Sequence, residues 1–219
     1  MKIKGSGTYT DKNGRNHSVL GVGEVADDEK LQKLEVIGNL SFEKISCNKI
    51  SISGKCLGGS ISTQSLKIFG ACEGDSVIAK NFSASGKVEF DSLTIEQNLE
   101  ITGKPSLDSV TANEIVIASR NGFLGKVKCC KIKIYDNAEK INREVFGKIF
   151  IERFAISQSW SHVRIKNIEA DIVELENCEV DVIKCKDAFI GSNCAIKKLL
   201  VAGKCEVAAD STIGETIKT

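Results

Sequence analysis

The sequence predicts an all-β fold: one single-stranded parallel β-helix, a solenoid with coils of about 16–17 residues. Three observations predict it. Glycines recur at Gly38, Gly54, Gly70, Gly86 and Gly103, at intervals of 16, 16, 16 and 17. Apolar residues recur at fixed offsets from each glycine. Around those offsets apolar and polar residues alternate, the period-2 mark of a strand with one buried face.

The offsets define four rows. Two residues after each glycine stand Leu40, Cys56, Cys72, Val88 and Pro105. Seven after stand Ile45, Ile61, Val77, Leu93 and Val110. The third row is Ile50, Leu66, Phe82, Leu99 and Ile115, and two residues further comes Ile52, Ile68, Ala84, Ile101 and Ile117. Each unit thus holds three short strands broken by polar pairs. Alone, such a unit cannot bury its apolar face. Stacked at the inter-strand spacing of ~4.8 Å, equal offsets form continuous ladders. The glycine then sits at a corner, where it can take φ > 0.

One domain, 1–219, is expected. Its parts are an N-terminal edge or cap (1–34), regular repeats (35–134), irregular coils or a loop (135–162) and C-terminal repeats (163–219). In 1–34, "GSGTYT" and "VLGVGEVA" look like coil corners, and "DDEKLQK" is a charged loop or cap. In the C-terminal part Cys178, Cys194 and Asp210 are spaced by 16, Val180 matches Ile196, and Ile183 matches Leu199. In 135–162 the period fails, "NAEKINREVF" suits a helical turn, and "GKIFIERFAIS" alternates like a strand. Phe146, Phe150, Phe154 and Trp160 cluster there, either filling a wider core or forming a partner surface. Dividing the length by the lap gives about a dozen coils and a rod of about 50–60 Å.

Composition narrows the function. Thirty Lys and Arg balance 29 Asp and Glu, so no long-range attraction to nucleic acid or anionic lipid is expected. The start "MKIKGSG" has no apolar h-region, and no run approaches the ~18 apolar residues of a spanning helix. A cytoplasmic protein is expected. Nine cysteines without a CxxC pair give no zinc-ribbon or thioredoxin signal. They are expected to be reduced thiols serving as small core residues, which also suggests a reducing compartment.

The search for chemistry finds little. "GVGEVA" (Gly21–Ala26) matches GxGxxA but lacks a βαβ setting, and a solenoid corner is the expectation. No P-loop occurs. His17 lies in a polar turn, and His162 falls at the offset of Cys178, a rim or core place. The six-residue period of hexapeptide acyltransferases is absent. Asp75, Asp91 and Asp108 share one offset, and a solvated corner is preferred to a cation site. No catalytic, cofactor-binding or metal residue is therefore assigned.

The segment "LEVIGNLSFEKISCNKISISGKCLGGSISTQSLKIFG" (34–70), the Gly86 and Gly103 units, and the tail 173–214 resemble the bactofilins, polymer-forming cytoskeletal proteins of bacteria. The resemblance covers well over half the chain and is closest to a longer bactofilin-like subgroup. It implies a right-handed β-helix that stacks end to end into nucleotide-free filaments and serves as a scaffold. The partners it implies are other copies of the chain and, second, envelope or scaffold proteins. Two features depart from the family: the chain reads as folded almost throughout, with one Pro, and "MKIKGSG" is not the apolar N-terminal anchor that some members carry.

Physics gives assembly its own motive, because solenoid ends expose strand edges and a slice of core. Ile3, Val19, Leu20 and Val22 are the candidates for the N-terminal slice; Val201, Val207 and Ile213 for the C-terminal one. A non-enzymatic scaffold is the leading expectation. The alternatives are a monomeric or dimeric adaptor using the aromatic section and, more remotely, an enzyme acting on a glycan.

Overall fold

The computed structural model describes residues 2–5, 8–10, 16–26, 31–136 and 162–219, with side chains for 18–22, 32–136 and 162–219. Among the described residues eleven strands form one sheet that winds as a β-solenoid of about 10 turns with ~17-residue coils. In chain order they are β1 (Lys2–Gly5), β2 (Thr8–Thr10), β3 (Asn16–Ala26), β4 (Leu31–Thr111), β5 (Glu114–Ala118) and β6 (Gly122–Tyr135). After the gap come β7 (Val163–Leu175), β8 (Cys178–Ile190), β9 (Ala195–Val201), β10 (Cys205–Val207) and β11 (Thr212–Lys218). β4 runs for 81 residues because it turns its corners without leaving the pairing geometry. Among the described residues no helix is long and apolar enough to cross a membrane.

From β3 onward every pairing is parallel and offset by one lap. Asn16 faces Lys33, Asn98 faces Glu114, and Glu114 faces Lys131. Across the irregular section Gly122 faces Val163, a single rung apart although 41 residues separate them (163 minus 122). The next lap is short, since Val163 faces Cys178, 15 residues on (178 minus 163). Two alignments therefore differ from expectation. Val163, not His162, stacks on Cys178. The last lap is 17, Thr212 facing Ala195, so Ser211, not Asp210, stands opposite Cys194. The coils number fewer than a dozen because β1 and β2 fold back on β3 and one lap takes 41 residues.

All four predicted rows line the core, with every member buried. A fifth row mixes sizes: Phe42, Gly58, Gly74, Phe90, Leu107. A Cβ on Gly58 would lie 2.6 Å from the Phe42 ring, and one on Gly74 would lie 2.9 Å from the Phe90 ring. The two glycines thus give the flanking rings their volume, and Phe90 also meets Phe82 edge-on at 6.5 Å between centroids.

The corner glycines are required twice over. Gly70 has φ +131°, a conformation L side chains rarely adopt. A Cβ there would also stand 2.1 Å from the Gly54 carbonyl oxygen on the rung below. In the C-terminal coils asparagine takes the corner, with φ 53° at Asn177 and 58° at Asn193. Asn193 Nδ2 donates to Asn177 Oδ1 at 2.6 Å, so one corner pins the next.

Two outcomes follow. Ile61→Asp places an unpaired carboxylate within an apolar ladder, at a cost above ~4 kcal/mol. It should abolish the cooperative melt followed by circular dichroism, and a wild-type melt would refute the register. Gly70→Ala should cost ~3 kcal/mol and lower the calorimetric melting temperature by roughly 6–12 °C.

Candidate functional site

The two ends of the solenoid are built differently. At the N-terminal end β1 and β2 pair antiparallel with β3, Lys2 facing Ala26 and Thr8 facing Val19. The first rung's edge is thus covered by the chain's own strands. Val19 is 1% exposed, an interior residue and not part of an open slice. Leu20 and Val22 are 59% and 62% exposed but point sideways. Leu20 faces Ile37, another exposed residue on the lateral surface. Ile3 pairs with Val25 on this fold-back, and its side chain lies outside the described residues.

The C-terminal end has no such cover among the described residues. β10 pairs with β8 and β11 with β9, and the outer edge of each has no further strand. Val201, opposite Lys218, is fully buried one rung inside, because β11 reaches further than the spacing of the cysteines suggested. The last slice is formed by Val207, 43% exposed, with Ile213 and Ile217 half-buried beside it. Ion pairs flank it: Lys204 with Glu206 at 2.5 Å and Lys198 with Glu215 at 3.1 Å.

Phe146, Phe150, Phe154 and Trp160, and the helical turn expected in "NAEKINREVF", lie outside the described residues.

The described surface carries two shallow grooves, one of them beside the C-terminal rung. One, of ≈ 530 Å³, is lined by Tyr135, Glu174, Phe189, Glu206 and Val207 among others. Its Glu174 carboxylate meets Lys131 at 3.4 Å and Lys133 at 3.3 Å. The other, of ≈ 570 Å³, is lined by Asn48, Thr63, Gln64, Lys80 and Glu96 among others. There Asn48 donates to Gln32 at 2.8 Å and Thr63 to the Asn48 carbonyl at 3.1 Å. Asp75, Asp91 and Asp108 are exposed on their shared corner. Among the described residues no three His, Cys, Asp or Glu side chains group as metal ligands. The "GVGEVA" stretch lies in β3, and the next described element is the strand β4.

The cysteines correct one expectation. Cys56 and Cys72, consecutive members of one ladder, are joined by a disulfide with Cα atoms 4.5 Å apart. In-register stacking brings equal offsets within disulfide range, so the small-core-residue reading fails for this pair. The spacing of 16 carries the signal for the pair, since it sets the two residues one above the other. Four other thiols, Cys47, Cys129, Cys178 and Cys185, are pushed up by burial, the opposite of an activated nucleophile. Cys129 reaches about 12 and Cys185 about 11.

No protein-family model, curated protein or solved structure matches the chain.

Adjacent Cys129 and Cys130 provide an internal check of face assignment, since Cys130 is exposed and Cys129 half-buried. At about pH 8, iodoacetamide should label Cys130 at least tenfold faster, because Cys129 stays protonated. Peptide mapping over time reads the ratio; equal rates would contradict the alternation.

Proposed function

We propose that the protein is a non-enzymatic structural element that self-associates end to end, without nucleotide, into filaments or oligomers acting as a scaffold. The observation that carries this reading is the C-terminal end. Among the described residues no strand pairs with the outer edges of the two strands there, and Val207, Ile213 and Ile217 form an incompletely covered slice of core. An uncovered edge is a template for another strand. A second solenoid supplies both missing components, hydrogen-bond partners and apolar cover. The likeness of 34–70 and 173–214 to bactofilins supports the same reading from the sequence.

A cytoplasmic location belongs to this proposal and rests on the scaffold reading. The Cys56–Cys72 bridge removes the abundance of thiols as an argument for a reducing compartment.

Negative-stain electron microscopy of the untagged protein over a concentration series tests the reading. Long thin filaments without added nucleotide are expected. Discrete short particles at every concentration would overturn it and turn attention to a partner protein. Val207→Asp puts a charge on the exposed edge, so it should leave the melt unchanged and reduce assembly at least tenfold by sedimentation. Normal filaments of that variant would show that the contact lies elsewhere.

A further inference from the structure

Seven of the nine cysteines are thiols in the structure, and two of these repeat the arrangement of the bonded pair. Cys178 opens β8, and Cys194 precedes β9 by one residue. Since Glu179 faces Ala195, Cys178 faces Cys194 on the next rung. Neighbouring rungs sit ~4.8 Å apart, inside the Cα range of a disulfide. Cys56 and Cys72 span the same 16 residues at the same kind of ladder position. Both Cys178 and Cys194 are buried, and their thiols donate to backbone carbonyls, Cys178 Sγ to Glu176 at 3.1 Å and Cys194 Sγ to Leu175 at 3.6 Å.

The surroundings hold the two sulfurs in register. Each cysteine follows a left-handed asparagine corner, Asn177 or Asn193. The corners are tied by the 2.6 Å bond between their side chains and by Asn177 N donating to the Ser192 carbonyl at 2.9 Å. On the far side the Cys194 backbone N–H donates to Ser211 Oγ at 2.9 Å. The contact with Cys178 holds the Cys194 thiol below its ordinary range, while burial holds Cys178 well above it. Cys194 Sγ also meets the carbonyl of the exposed Ser192 at 3.7 Å, so a local opening of that corner reaches the thiol.

We propose that Cys178 and Cys194 are a second cross-coil disulfide site, closed by exchange with a low-molecular-weight disulfide such as oxidised glutathione. The Cys194 thiolate attacks one sulfur of the reagent, the reagent's S–S bond breaks, and one reagent thiolate leaves. Cys178, deprotonated, then attacks Cys194 Sγ, and the second reagent thiolate leaves. The two protein thiols lose two electrons and two protons. The reagent gains both electrons and, as two thiols, carries both protons. The inference is independent of end-to-end assembly, since it needs only one chain.

The test is peptide mapping of the whole chain after exposure to oxidised glutathione, with alkylation under denaturing, non-reducing conditions. One sample is treated in the native state; a second is reduced, unfolded and refolded in the same reagent, which removes burial as a barrier. The expected result is a loss of two hydrogens in mass and a linked pair of peptides carrying Cys178 and Cys194. A link in the refolded sample alone still supports the site and places its formation before burial. Cys178→Ala should instead hold Cys194 as a glutathione mixed disulfide. Free, separately glutathionylated or differently linked Cys178 and Cys194 in both wild-type samples would overturn the proposal.

Discussion

Hydrogen bonding between successive coils is the constraint on which the rest of this structure depends. It sets neighbouring strands ~4.8 Å apart and in register, so each side chain stacks on the residue one lap away. Apolar rows satisfy that demand by themselves, because identical neighbours pack well. Other residue types need a special solution. At the glycine corner the Cβ must be missing, since the carbonyl of the rung below occupies its place. Where Phe42 and Phe90 enter the core, Gly58 and Gly74 stand between them. Two stacked cysteines become a bond.

Charges obey the same constraint. Identical charges on adjacent rungs would repel along the whole rod, so the signs alternate in the C-terminal coils. Arg164 meets Glu179 at 3.4 Å, Lys197 meets Asp181 at 2.6 Å, and Lys198 meets Glu215 at 3.1 Å. Exposed pairs of this kind contribute only about 0–1 kcal/mol each. Their larger effect is on register, because a slip by one residue breaks them together and turns the apolar rows outward.

This explains which parts of the fold were legible in the sequence. Ladders repeat, and repetition can be read: the four rows and the glycine corners follow from spacing alone. Departures from the mean lap are harder to read. A 15-residue lap moves Val163 onto Cys178, and a 17-residue lap moves Ser211 opposite Cys194. Both changes fall at corners, where no apolar residue marks the count. The fold-back of β1 and β2 was hidden for a different reason. An antiparallel cap occurs once, so it leaves no period to detect. The asparagine corners leave a trace, the repeated Asn-Cys of 177–178 and 193–194, but two copies are too few to mark a period.

The ends follow from the same rule by its failure, since a ladder has no internal reason to stop. At one end the chain reverses direction and lays β1 and β2 along the first rung, which uses up the edge. At the other end the last rung is made of short β10 and of β11, with Val207 exposed and Ile213 only half covered. The C-terminal rung is thus the less complete of the two. Glu206 and Glu215 on these last strands are each paired with a lysine, Lys204 and Lys198. In the proposed end-to-end contact, a second solenoid's rung would restore there the hydrogen bonding that every interior coil already has.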